Sequence, residues 1–118
     1  MISISPKHMV FLAIEPIDFR KGLDGIARLC QNTFRQNPLS GHYFIFRNKR
    51  KTAIKLLYYD AQGYCLFHKR LSTGRFTFWP TENTPLIMLT PTQLQVLLNN
   101  GNPRQIQECS PWQSLATS

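Results

Sequence analysis

The chain has 118 residues, fourteen Lys and Arg against six Asp and Glu, a formal net charge of +8 and a pI near 9.9. That length suffices for one domain with a real core, and a 42% apolar content excludes a disordered chain. Scarcity of acids, more than abundance of bases, makes the chain basic, and it points to a polyanionic partner.

The first predicted element is a strand over Met9–Ile14. Glu15-Pro16-Ile17-Asp18 ends it, because Pro16 holds Glu15 extended. Asp18 suits a helix N-cap. The following residues place Leu23, Ile26, Ala27, Cys30 and Phe34 on one stripe of a 3.6-residue period. This predicts an amphipathic helix over Phe19–Phe34, with Leu23, Ile26 and Cys30 buried and Arg20 and Arg28 wet. Gly22 and Gly25 weaken it by roughly 1 kcal/mol each relative to Ala. Gln36–Gly41 is a loop by its Asn-Pro and Ser-Gly pairs.

The stretch His42–Pro80 organises the rest. It holds ten of the fourteen aromatics and eight of the fourteen Lys and Arg, with Asp60 as its one carboxylate. Four apolar runs, His42–Arg47, Thr52–Tyr59, Tyr64–Leu71 and Arg75–Trp79, are separated by short turns. Turns this short join antiparallel neighbours. The expectation is an antiparallel β-meander, with one face wet and basic. Leu86–Leu89 suits a final strand. Thr90-Pro91-Thr92-Gln93 is a helix start, with Thr at the N-cap, Pro at N1 and Gln at N3. Leu94, Leu97 and Leu98 form the buried edge of that helix, and Gly101 ends it.

The fold class predicted is therefore α+β: a meander of four to five strands with an N-terminal amphipathic helix and a C-terminal helix. Residues 1–103 form the single domain, and 104–118 read as a mobile polar tail. No run of about eighteen apolar residues predicts a transmembrane helix. No long basic amphipathic helix suggests a membrane surface. The three cysteines, Cys30, Cys65 and Cys109, are odd in number and far apart, as in a cytoplasmic protein with reduced thiols.

With these residues in view, the chain resembles a family. It is similar to the small accessory protein encoded beside the transposase in IS-sixty-six-type bacterial insertion sequences, called TnpB or the second open reading frame product. The RNA-guided nuclease of that name is a different protein. The resemblance rests on Val10–Ile14 and Asp18-Phe19-Arg20-Lys21-Gly22, then on Leu39-Ser40-Gly41 running into Phe44-Ile45-Phe46-Arg47-Asn48. It continues through Lys55-Leu56-Leu57-Tyr58-Tyr59-Asp60 and Gly63-Tyr64-Cys65-Leu66. Lys69-Arg70-Leu71, Gly74-Arg75-Phe76, Trp79-Pro80 and Leu89-Thr90-Pro91-Thr92-Gln93-Leu94 complete it. The family usually follows its last helix with an acidic and aromatic pair, where this chain has Asn102-Pro103. The resemblance implies a helper in transposition and not the recombinase, and it carries over no catalytic residues.

The residues themselves argue against an enzyme. Two-metal nucleases need converging carboxylates. The candidates here are Glu15, Asp18, Asp24, Asp60, Glu82 and Glu108. Asp18 and Asp60 have capping and turn roles, Asp24 lies on a wet helix face and Glu108 in the tail. His8, His42 and His68 lack zinc spacing. No cofactor is expected.

Two readings remain. In the first, the chain binds the DNA phosphate backbone through Arg47, Lys49, Arg50 and Lys51 at one hairpin tip, with Lys69, Arg70 and Arg75 nearby. The plain alternative for that run is a solvated loop. In the second, the chain is an adapter that docks on the transposase or another element-encoded protein through exposed Tyr43, Tyr58 or Tyr64.

Overall fold

The computed structural model describes residues 8–101. In chain order it contains β1 (Val10–Ala13), α1 (Leu23–Asn32), β2 (Tyr43–Arg47), β3 (Ala53–Tyr59), β4 (Tyr64–Arg70), β5 (Leu86–Leu89) and α2 (Pro91–Leu98). The strands form one sheet in the order β4-β3-β2-β1-β5. The class is α+β, but the sheet is mixed and not a pure antiparallel meander. β2, β3 and β4 pair antiparallel through their short turns. β1 pairs parallel with β2, Val10 opposite Tyr43, and antiparallel with β5, Val10 opposite Leu89. The parallel step is possible because the chain between β1 and β2 is long enough to hold α1 and return in the same direction. The first helix therefore lies second in chain order, after β1, and not at the N-terminus. The expected tail, 104–118, lies outside the described residues, as do Cys109 and Glu108.

Neither face of the sheet is wet. One carries Val10, Leu12, Tyr43, Ile45, Ile54 and Leu56, covered by Leu94, Leu97 and Leu98 of α2 and by Phe76 and Trp79. The other carries Ala13, Phe44, Phe46 and Leu57, covered by Ile26, Ala27 and Cys30 of α1. A sheet covered on both sides has apolar residues at successive positions, which is why period two is blurred in His42–Arg47 and Thr52–Tyr59. Lys55 is only 7% exposed. Its Nζ donates to the carbonyls of Phe19 (2.9 Å) and Lys21 (3.2 Å), 4.9 Å from the Phe19 ring centroid. An ammonium this buried needs such acceptors, and through them β3 holds the chain entering α1.

α1 is shorter than predicted. Asp18 is not its N-cap; Gly22 is, without a side-chain bond. The Asp18 carboxylate instead accepts from the backbone N–H of Arg20 (2.9 Å) and from its guanidinium (2.8 Å). These bonds hold the carboxyl down at about 2. Gly22 and Gly25 approach no backbone: a Cβ at Gly25 would meet only the Lys21 side chain. Ile26 and Cys30 are fully buried, while Leu23 lies at the margin of the core. Arg20 and Arg28 are exposed. Ile26→Ala should therefore cost about 2–4 kcal/mol in chemical denaturation, and Leu23→Ala clearly less. Equal losses would mean that the helix presents a different face.

Arg75–Trp79 is not a strand. Phe76 N–H donates to the Lys51 carbonyl at 2.7 Å and Thr77 N–H to Asn100 Oδ1 at 2.8 Å, so the segment crosses beneath the sheet. It buries both Phe76 and Trp79, three residues apart, against strands that are already paired. α2 begins as its sequence predicts, with a Thr90–Gln93 capping box and Pro91 in the first turn. No helix among the described residues is long and apolar enough to cross a membrane.

Candidate nucleic-acid interface

The turn between β2 and β3 is built around Asn48. Its Oδ1 accepts from the backbone N–H of Thr52 (2.9 Å) and Ala53 (3.1 Å), and its Nδ2 donates to Thr52 Oγ1 (2.8 Å). Lys51 N–H closes the turn onto the Asn48 carbonyl, and Lys51 adopts a φ of +61°. A side chain that bonds the backbone around it fixes a turn that the sequence otherwise leaves loose. Asn48 was not among the expected site residues; its signal was the Asn at the first turn position.

Lys49 and Arg50 project from this turn into solvent, and Lys51 is half-buried. Arg70, opposite Ala53 in the β3–β4 register, is exposed at the same end of the sheet. Leu71 N–H donates to the Thr52 carbonyl and Phe76 N–H to that of Lys51, which brings exposed Arg75 beside the turn. The fold thus gathers Lys49, Arg50, Lys51, Arg70 and Arg75. None of the five forms an ion pair among the described residues.

Two expected members are otherwise engaged. Arg47 points toward the core, its guanidinium 5.8 Å from the Trp79 ring centroid. Its Nη1 donates to the carbonyls of Asn48 (3.3 Å) and Lys49 (3.4 Å), and its buried Nε has no partner. Burial pulls its pKa below the ordinary arginine value, partly offset by Glu15. Arg47 braces the turn from beneath. Lys69 Nζ donates to the Leu98 carbonyl at the end of α2, where a cation meets the negative end of the helix dipole.

The loop before α1 flanks the turn. Ile17 N–H donates to the Arg47 carbonyl at 3.0 Å. Pro16, Ile17, Asp18 and Phe19 face Asn48, Lys49 and Arg50 across a shallow cleft of about 470 Å³. Exposed Arg20 and Lys21 follow in the chain. Sequence reasoning assigned them to a helix face and missed that they lie in the loop before α1, which Lys55 tethers through the carbonyls of Phe19 and Lys21.

A second cleft, of about 550 Å³, includes His8, Leu39, Tyr43, Tyr58 and Asp60 in its lining. It lies at the opposite end of the sheet, by the Asp60 turn. Tyr43 is buried, its ring 4.7 Å from that of half-buried Tyr58, and Tyr64 is half-buried. None of the three tyrosines is the freely exposed ring expected for an adapter.

Two imidazoles report on protonation. His42 Nδ1 accepts from Met9 N–H at 3.0 Å. Burial, and secondarily His8, lowers the His42 pKa. Burial, and then Lys55 and Arg70, lowers that of His68. A His with a depressed folded pKa takes up protons more readily when unfolded. Stability should thus be full above about pH 6.5 and fall as pH drops below it. Urea midpoints measured between neutral and mildly acidic pH should decline; a rise on acidification would contradict the assignment.

Among the described residues no three His, Cys, Asp or Glu side chains cluster as a metal site.

Comparison with known proteins gives a consistent answer. Residues 8–108 match the family model described as IS66 Orf2 like protein. Among curated proteins, the uncharacterized protein y4hO of Sinorhizobium fredii is 38% identical over 99 residues, covering 84% of this chain and 85% of that protein. A second uncharacterized protein of the same strain, y4jC, is 33% identical over 98 residues, covering 83% of each chain. No solved structure matches.

Proposed function

This chain belongs to the IS66 Orf2-like family, transposition-associated accessory proteins of insertion sequences, and from that premise we propose that it binds DNA through the basic end of its sheet without performing catalysis. The observation that carries the reading is the convergence of Lys49, Arg50, Lys51, Arg70 and Arg75 on one braced turn, none of them ion-paired among the described residues. Spaced along a hairpin tip and the adjoining strand end, these cations suit phosphates, which position a protein without specifying sequence. About four to five phosphate contacts give a slope of log affinity against log salt of roughly −4 for duplex DNA. The role proposed is that of a non-catalytic helper, in keeping with a family of transposition-associated accessory proteins.

The test is a gel-shift series on element ends and random duplex over a range of salt, with and without transposase, in magnesium or manganese. Binding to both duplexes that falls steeply with salt, with no DNA cut or joined, is the expected result. Reproducible cleavage abolished by Asp18→Asn or Asp60→Asn would defeat the non-catalytic role.

A second reading, docking on the transposase or another element-encoded protein, draws on the cleft between His8, Leu39 and Tyr58. Leu39 is 54% exposed at its rim, a place for a partner's apolar side chain. Transposase capture that survives high salt, without DNA binding, would favour this reading.

A further inference from the structure

We propose that the open edge of β4 is a self-association surface, on which a second copy of this chain pairs its own β4 antiparallel about a two-fold axis at Phe67.

The hydrogen-bond pattern defines that edge. β4 ends the sheet among the described residues. Asp60 N–H donates to the Gly63 carbonyl and Leu71 N–H to that of Thr52. Bonded pairs alternate along an antiparallel ladder, so Cys65, Phe67 and Lys69 bond to β3. Tyr64, Leu66, His68 and Arg70 then turn their N–H and C=O groups outward, a row of unpaired donors and acceptors.

The apolar side chains of this edge strand are incompletely covered. Tyr64 and Leu66 pack against the α1-side core and Phe67 against the α2-side core, each only partly buried. Large apolar groups left partly exposed on both faces are buried further when another strand extends the sheet beside them. The other edge is blunted. β5 spans only Leu86–Leu89, follows Pro85, and has its Leu86 carbonyl bonded by Thr84 Oγ1 at 2.8 Å. β4 has no proline and spans Tyr64–Arg70.

The occupant follows from polarity along the strand. β4 runs from the Asp60 turn to a cationic end at Arg70. Antiparallel pairing about Phe67 sets Tyr64 opposite Arg70 of the second copy, a ring against a guanidinium. Leu66 meets His68 of the second copy, and the two Phe67 side chains meet on the axis. All the outward backbone groups find partners in this register. The Asp60 turn of each copy approaches the cationic end of the other, whereas parallel pairing would place the two Arg70 side chains side by side. The contact is isologous and closes as a dimer.

Sedimentation velocity over a concentration series, without nucleic acid, tests this together with amide hydrogen exchange by NMR. Wild type should dimerise, with the Tyr64, Leu66, His68 and Arg70 amides protected only in the dimer. His68→Pro removes an outward N–H that β3 does not use, and Arg70→Glu reverses the end charge. Each should weaken association by about tenfold or more, with native circular dichroism retained. A wild type monomeric at every concentration overturns the proposal. So does a dimer whose four amides exchange freely, or amides protected in the monomer, which would mean that the edge is covered by the chain itself. Should His68→Pro fail to fold, Arg70→Glu alone decides: a dimer as tight as wild type sinks the proposal.

Discussion

Trp79→Ala should destabilise the protein by about 3–5 kcal/mol, measured as a lower denaturant midpoint at unchanged slope. Trp79 is 7% exposed in the α2-side core. Its Nε1 donates to the Ala13 carbonyl at 2.9 Å, joining the segment after β4 to the far strand β1. The Arg47 guanidinium sits over its ring. Truncation removes the largest side chain of that layer, leaves a buried carbonyl without its donor, and takes the ring from beneath an arginine that braces the basic turn. A domain of this size has only about 5–15 kcal/mol in total, so the variant should be near the limit of folding. Trp79→Phe keeps an aromatic ring, though a smaller one, and loses the hydrogen bond, and should cost about 1–2 kcal/mol. If Trp79→Ala lost less than roughly 1 kcal/mol, Arg75–Trp79 would not be part of the core.

The same tryptophan shows where sequence stops being informative. The Thr90–Gln93 capping box and the hairpins of β2, β3 and β4 were legible because the groups that form them lie within a few residues. The parallel pairing of β1 with β2 was not, because nothing local distinguishes a strand that returns beside β1 from one that does not. Arg75–Trp79 has the composition of a strand, yet its place at the end of α2 comes from bonds to Lys51 and Asn100. The burial of Lys55 was not legible either, because its acceptors are carbonyls of Phe19 and Lys21 in another segment. At the candidate interface the sequence identified the cationic turn and placed Arg70 and Arg75 at the same end of the sheet. It could not show that Arg47 and Lys69 are engaged internally, since that depends on Trp79 and on the end of α2. Asp18 failed as a cap for a nearer reason: Arg20, two residues on, offers its carboxylate a stronger partner.

Replacing Lys49, Arg50 and Lys51 together by Ala should weaken binding to all duplexes alike and flatten the salt slope by about 2–3. Each exposed cation that meets a phosphate releases about one counterion. Lys49 and Arg50 are exposed and Lys51 half so, and none has an ion-pair partner among the described residues. At low salt the loss of affinity should be about a hundredfold or more. The fold should not suffer. The turn is held by Asn48, by the Lys51 backbone and by Arg47 beneath it, none of which the substitutions remove. Removing like charges from a chain of net +8 relieves self-repulsion, so the melting temperature should stay level or rise slightly. Arg47→Ala makes the opposite pair of predictions: it should lower stability through lost stacking on Trp79, and should alter the salt slope little because its guanidinium faces inward. The contrast separates cations that meet DNA from the one that holds the turn. If the triple variant bound duplex as tightly as wild type but no longer captured the transposase, the turn would be a protein-docking site and the phosphate reading would fall.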